Sequence, residues 1–179
     1  MGTPGEECAP QTWCWAMTVF ADRVKAGRAL ASRLAYLHDQ DVVVLGLPRG
    51  GVPVASEVAE ALGAPLDVIV ARKLGVPFQP ELAMGAIGEG GAQVRDAKVM
   101  ARARITDADL RAVESREREL LEERVARLRR GRDRIDLSGR TAVIVDDGIA
   151  TGSTARAACQ VARHLGAARA ISRRRATMR

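Results

Sequence analysis

Apolar residues recur along the chain with two different spacings, which predict alternating helices and strands. Across residues 22–38 they come every three or four positions, as is typical of an amphipathic helix. Residues 42–47 form instead a short continuous apolar run, as expected for a buried strand. A helix over residues 54–62, ended by Gly63, precedes a second apolar run at 66–71. This order predicts a strand–helix–strand unit with parallel strands.

A segment rich in glycine and proline follows, over residues 74–96. Residues 84–87 and 93–94 flank the sequence GEGG, which predicts a hairpin. We expect the rest of the segment to be a long mobile loop, and long loops in compact domains are often functional.

A long charged helix is predicted from Thr106 to about residue 130. Thr106 is a suitable N-cap, and Asp109 follows three residues later. The dense arginine and glutamate content is typical of a solvated face with ion pairs between residues i and i+4. The apolar stripe expected to face the core consists of Leu110, Val113, Leu120, Leu121, Val125 and Leu128.

A third apolar run, residues 142–145, ends at Asp146 and Asp147. Residues 153–165 then predict a helix, and 168–171 the start of another strand. The whole pattern predicts an α/β fold with an open, mainly parallel sheet flanked by helices and a small hairpin and flexible-loop insertion.

Composition agrees with this fold. The chain has 179 residues, enough for one domain with a core, and its aromatic content of 3% leaves a core of Val, Ile, Leu and Ala. The net charge of +6 fits either nucleic acid or a phosphorylated small substrate. Because acids are interspersed with the arginines, the pattern favours the small substrate, and nucleic acid remains the alternative partner.

The beginning of the chain carries little pattern. We interpret residues 1–16 as a leader and residues 17–179 as the domain. Neither a signal peptide nor a membrane-spanning run is recognisable, so no membrane partner is expected. Cys8, Cys14 and Cys159 have neither zinc-site spacing nor a disulfide framework. Reduced thiols are the simplest interpretation, and they predict a cytoplasmic protein.

The residues after the third apolar run combine two kinds of chemistry. Asp146 and Asp147 can accept hydrogen bonds from two vicinal hydroxyls or help to place Mg²⁺. Thr151, Gly152 and Ser153 lie where a helix should begin, and the unpaired amides of a helix N-terminus attract anions. A ribose 5-phosphate would satisfy both groups.

The segment 145–154, VDDGIATGST, resembles the phosphoribosyl-pyrophosphate (PRPP) signature of the type I phosphoribosyltransferases. The segment 47–52, LPRGGV, is similar to the pyrophosphate loop of that family, and residues 71–73, ARK, to the start of its flexible loop. All three follow predicted strands in the family's order. The resemblance covers about residues 17–171.

The resemblance implies roles for the acidic motif. Asp146 and Asp147 would be catalytic residues whose carboxylates bind the ribose 2- and 3-hydroxyls, directly or through Mg²⁺. The 5-phosphate would be held by the positions that follow them: Gly148, Ala150, Thr151, Gly152, Ser153 and Thr154.

The other two segments would serve the leaving group. Arg49, with the amides of Gly50 and Gly51, would face pyrophosphate, and Arg72 and Lys73 would neutralise it from the other side, Lys73 as a catalytic residue. Cationic groups and Mg²⁺ belong at this place because pyrophosphate leaves readily only when its charge is neutralised.

The implied activity is transfer of ribose 5-phosphate from PRPP to a nitrogenous base or another nitrogen nucleophile, with release of pyrophosphate. Hypoxanthine–guanine members carry an aspartate where this chain has Ala150, whereas adenine, xanthine and uracil members carry alanine. An enzyme that uses this aspartate to handle the proton of a 6-oxopurine, as the hypoxanthine–guanine members do, is therefore disfavoured. Glu81 and Glu89 are candidate proton-transfer groups, although the simpler interpretation of each is a solvated loop acid.

Family members usually continue with further strands, a helix and a hood segment, where this chain has SRRRATMR. The resemblance thus implies a C-terminally shortened domain, for which we expect reduced stability or association through an exposed sheet edge, as in a homo-oligomer. Two other functions stay open: a PRPP-sensing regulator on the same fold, and a catalytically impaired homologue.

Overall fold

The computed structural model describes residues 22–147 and 152–174, and of Ser153, Arg173 and Arg174 only the backbone. The leader predicted at 1–16 lies outside these residues. The helices are α1 (Arg23–Arg33), α2 (Gly51–Leu62), α3 (Ala97–Arg102), α4 (Asp107–Arg129) and α5 (Ser153–His164). The strands are β1 (Val42–Gly46), β2 (Leu66–Val68), β3 (Ala71–Val76), β4 (Gln79–Gly88), β5 (Gln93–Arg95), β6 (Thr141–Asp146) and β7 (Arg169–Arg174). Short 3₁₀ turns occupy Ala35–Leu37 and Glu89–Gly91, so the helix predicted over 22–38 is shorter than expected.

A parallel sheet with the order β2-β1-β6-β7 forms the centre of the described structure. α1 and α2 pack on one face of β1 and β6, and α5 packs on the other. Strands buried on both faces carry continuous apolar runs, which is the pattern seen at residues 42–47 and 142–145. The prediction of an open, mainly parallel α/β sheet flanked by helices is confirmed.

A second, antiparallel sheet with the order β3-β4-β5 follows the first strand–helix–strand unit. The predicted hairpin around GEGG is confirmed, since Ala86 pairs with Val94 and Ile87 with Gln93. The prediction of a loop over the rest of 74–96 is wrong, because β3 and β4 form a paired hairpin there. The strand expected at 66–71 is also divided: β2 belongs to the parallel sheet and β3 to the antiparallel one.

The helix α4 covers the antiparallel sheet. Its N-terminus has the predicted capping box, in which the Asp109 amide donates to Thr106 Oγ1 and the Thr106 amide donates to the Asp109 carboxylate. Leu110 and Leu121 are buried with apolar residues of β3 and β4. Leu120 is 40% exposed, so its predicted place in the core is wrong. Neither α4 nor any other helix within the described ranges is long and apolar enough to cross a membrane.

Candidate functional site

The two acids of the predicted motif lie at the carboxyl end of the central strand β6. Asp146 is its last residue, and Asp146 Oδ1 accepts a hydrogen bond from the Asp147 amide at 2.9 Å. Asp147 Oδ2 accepts hydrogen bonds from Arg23 Nη2 at 2.8 Å and Arg23 Nε at 3.2 Å. Open α/β sheets bind ligands at this edge, so the acids stand where a ligand can reach them.

The loop formed by residues 47–51 lies directly against this edge. The Leu47 amide donates to the carbonyl oxygen of Val145 at 2.9 Å. A Cβ atom added to Gly50 would stand 1.7 Å from Asp147 Oδ2, and one added to Gly51 would stand 2.5 Å from the Val145 carbonyl oxygen. The close approach therefore requires both glycines. The structure thus brings two of the three predicted segments, the 47–51 loop and the acidic motif, into contact.

The start of α5 completes this edge of the sheet. Gly152 adopts the left-handed conformation, with φ of 74°, immediately before Ser153, the first residue of α5. The first amides of a helix have no partner within it and carry the positive end of its dipole. Thr154 is exposed. Three predicted phosphate-binding positions, Gly148, Ala150 and Thr151, lie outside the described residues, as does the side chain of Ser153.

A cavity of about 280 Å³ opens between the 47–51 loop, β3 and α4, and we call it the arginine cavity. Its described lining consists of Arg49, Arg72, Leu120, Glu123, Arg124, Arg127 and Leu128. Arg124 Nη2 donates a hydrogen bond to the Pro48 carbonyl oxygen at 2.5 Å, and Arg72 Nε lies 2.5 Å from Glu117 Oε2. The place of Arg124 and Arg127 in this lining was not predicted, because nothing in their local sequence distinguishes them from the other charged residues of α4.

Arg72 and Lys73, which were expected to act together, are separated. Successive side chains of a strand point to opposite faces of the sheet. Arg72 accordingly lines the arginine cavity, whereas Lys73 Nζ forms an ion pair with Glu81 Oε2 at 2.9 Å and is not among the residues that line the cavity. The structure therefore places Arg49 and Arg72 in the lining of the same cavity, whereas Lys73 is not part of that lining.

Glu89 is not the solvated loop acid that the sequence suggested. It is 8% exposed, and Arg129 Nε and Nη2 bind its carboxylate at 2.8 and 2.9 Å. Arg129 Nη1 also binds Asp67 Oδ1 at 2.6 Å. Burial alone would lower the pKa of Arg129, but hydrogen bonds and charge from Glu89 and Asp67 outweigh it and raise that pKa. This cluster of Glu89, Arg129 and Asp67 holds the C-terminal end of α4 against β2. Glu81 is exposed, as expected.

The described residues contain no group of three or more His, Cys, Asp or Glu side chains that could hold a metal ion. Asp146 and Asp147 nevertheless provide carboxylate oxygens. Mg²⁺ is commonly bound through one or two carboxylates together with water and substrate phosphates, so this donor set fits Mg²⁺ delivered with a phosphorylated ligand.

Comparison with known proteins identifies the family. The model of the phosphoribosyl transferase domain matches residues 21–173. Proteins from two Mycobacterium tuberculosis strains, provisionally named phosphoribosyl transferases, are each 62% identical to this chain over 155 residues. The aligned residues cover 87% of this chain and 35% of each relative, so the chain spans about a third of the relatives' length. The crystal structure of TT1426 from Thermus thermophilus superposes with a TM-score of 0.81 at 44% identity, covering 88% of this chain and 74% of that one. The chain belongs to the phosphoribosyl transferase domain family.

Proposed function

We propose that this chain is the catalytic domain of a cytoplasmic phosphoribosyltransferase that transfers ribose 5-phosphate from Mg²⁺-bound PRPP to a nitrogenous base. The contact between Asp147 and the 47–51 loop is the observation that carries the proposal. In PRPP the pyrophosphate is attached to C1, next to the 2-hydroxyl. A carboxylate for the diol and a loop for the pyrophosphate must therefore be neighbours, and Asp147 and Gly50 are.

In the proposed reaction a nitrogen of the base attacks ribose C1. The C1–O bond to pyrophosphate breaks, pyrophosphate leaves with the electron pair, and the proton of the attacking nitrogen passes to solvent. Asp146 and Asp147 hold the diol and so orient C1. Amides at the start of α5 hold the 5-phosphate, and Arg49 and Arg72 neutralise charge on the leaving group. We assign Lys73 no direct contact in this arrangement, because it does not line the cavity that Arg49 and Arg72 share.

Magnesium has a definite place in this proposal. Asp146 and Asp147 would hold it, either directly or through water, and the ion would neutralise charge that develops on pyrophosphate. We expect the acceptor to be a base other than hypoxanthine or guanine because position 150 is alanine.

The test measures PRPP binding and pyrophosphate release separately. Calorimetry with PRPP and Mg²⁺ should detect binding that Asp147→Asn weakens about tenfold or more, since hydrogen bonds to a charged partner are lost. Asp133→Asn, which removes an exposed carboxylate outside the site, should bind normally. A panel of free bases should then identify one that releases pyrophosphate.

The same experiment separates the alternatives. PRPP binding without pyrophosphate release with any base would support a sensor or an impaired homologue. A salt-sensitive DNA or RNA complex that PRPP dissociates would support a regulator. Absence of PRPP binding would reject the proposal.

A further inference from the structure

We propose that Arg124 and Arg127 of α4 bind the pyrophosphate group of the substrate, opposite Arg49 and Arg72. This inference rests on the proposed function and extends its site to a helix that no motif points to. The inference is based on the arginine cavity, which is bounded by α4 on one side and by the 47–51 loop and β3 on the other. Its volume of about 280 Å³ is close to the lower limit of small-ligand pockets, about 300 Å³.

The charge of the cavity is the first argument. Among the described residues that line it are four arginines, of which Arg72 is paired with Glu117 and Arg127 with Glu123, so the arginines exceed these carboxylates by two. Like charges held close together repel, and a bound polyanion removes that repulsion. Pyrophosphate carries several charged oxygens, and the planar guanidinium is well suited to bind phosphate in a bidentate manner.

The position of Arg124 is the second argument. Its Nη2 bonds to the carbonyl oxygen of Pro48, the residue before Arg49, so its guanidinium is held against the 47–51 loop. A guanidinium has five N–H donors, and this bond uses one of them. Arg124 can therefore position the loop and bind an anion at the same time.

Arg127 is held more loosely. Its bond to Glu123 joins side chains that are 60% and 65% exposed, and such ion pairs contribute little to stability. A purely structural role is the competing explanation, since cations in the last turn of a helix interact favourably with its dipole. That role predicts a change in stability after substitution, whereas ligand binding predicts a change in affinity.

Calorimetry on the full chain with three ligands distinguishes the two roles: PRPP, magnesium pyrophosphate and ribose 5-phosphate. Arg124→Ala and Arg127→Ala should each weaken magnesium pyrophosphate binding about tenfold, the loss expected for a charged hydrogen bond, and leave ribose 5-phosphate binding unchanged. Arg111→Ala is the matched control. It removes the same charge from an exposed position of α4, about 20 Å away along the helix from Arg124 and on the opposite face.

Each outcome has a definite meaning. Normal pyrophosphate affinity in Arg124→Ala and Arg127→Ala, or an equal loss in Arg111→Ala, overturns this inference while wild-type PRPP binding upholds the proposed function. A wild-type chain that binds none of the three ligands overturns both this inference and the proposed function. If thermal melting shows that Arg124→Ala is poorly folded, Arg127→Ala decides, because its only described ion pair is exposed.

Discussion

The carboxylate of Asp147 is held by the guanidinium of Arg23, with Nη2 and Oδ2 2.8 Å apart. Arg23 is the first residue of α1, far from Asp147 in the sequence, and the two side chains are 44% and 27% exposed. The acid that the proposed function assigns to the ribose is therefore already paired with a cation in this structure. Ligand hydroxyls must compete with that cation for the carboxylate.

Removal of Arg23 should strengthen binding of the sugar. An exposed ion pair contributes about 0.2–1 kcal/mol, so Arg23→Ala should bind ribose 5-phosphate with Mg²⁺ up to about fivefold more tightly in calorimetry. Lys25→Ala removes an equal charge from the exposed side of α1 and should bind like the wild type. Weaker binding by Arg23→Ala would show that Arg23 assists the ligand and does not compete with it.

Alanine at Gly50 should damage binding more than folding. Gly50 has φ of −71° and ψ of −28°, which alanine adopts readily, but the added Cβ would collide with the Asp147 carboxylate and turn it away. We expect a melting temperature near that of the wild type and a loss of PRPP affinity of about tenfold or more.

The neighbouring Gly51 provides the contrast. There the Cβ would meet the backbone oxygen of Val145, which cannot move aside without distorting β6. Gly51→Ala should lower the free energy of unfolding by about 1–3 kcal/mol. Equal melting temperatures for the two variants would contradict this account of the 47–51 loop.

The buried cluster of Glu89, Arg129 and Asp67 should matter for stability. Removing one partner of a buried ion pair leaves an uncompensated charge, so Glu89→Gln should lower the free energy of unfolding in urea by about 3 kcal/mol. Glu81→Gln makes the same chemical change at a carboxylate that is 72% exposed and should cost less than about 0.5 kcal/mol. Similar unfolding curves for both variants would reject a structural role for Glu89.

The N-terminal cap of α4 should make stability depend on pH in the acid range. The Thr106 hydroxyl, and then the Thr106 amide, hydrogen-bond the Asp109 carboxylate and lower its pKa. The folded-state pKa therefore lies below the unfolded value of about 3.9, so the stabilisation is complete above that value and is lost as the pH falls through the folded-state pKa.

Asp109→Asn should accordingly melt below the wild type at neutral pH, and the difference should shrink as the pH falls below about 4. Thr106→Ala removes the hydroxyl responsible for the largest effect and should show the same trend. A difference in melting temperature that stays constant down to about pH 3 would contradict the assignment.

The parallel sheet and the acidic motif could be predicted because their signals are local. Residues 142–145 are continuously apolar and run directly into Asp146 and Asp147. The hairpin of β3 and β4 was not predicted, because its glycines and prolines are typical of loops and its register shifts around Gly75 interrupt the pairing. Its burial against α4 overrides that local preference.

The arginine cavity and the buried cluster depend on contacts between distant parts of the chain. Arg124 and Pro48 are 76 positions apart, and Arg129 and Glu89 are 40 apart. Neither Arg124 nor Glu89 differs locally from a solvated charged residue. Such contacts follow from how the second sheet and α4 pack beside the first, which no short sequence pattern records.

That packing divides the support of the site between separate hydrophobic clusters. Asp147 and Arg49 follow strands whose side chains pack with α1, α2 and α5, whereas Arg72 and the arginines of α4 are carried by the cluster of β3, β4 and α4. Repacking the latter cluster would shift Arg72 and the arginines of α4 and leave Asp147 and Arg49 in place. Under the proposed function, apolar residues that touch no ligand could therefore alter the contribution of α4 to binding of the leaving group while Asp147 keeps its place, whether by evolution or by design.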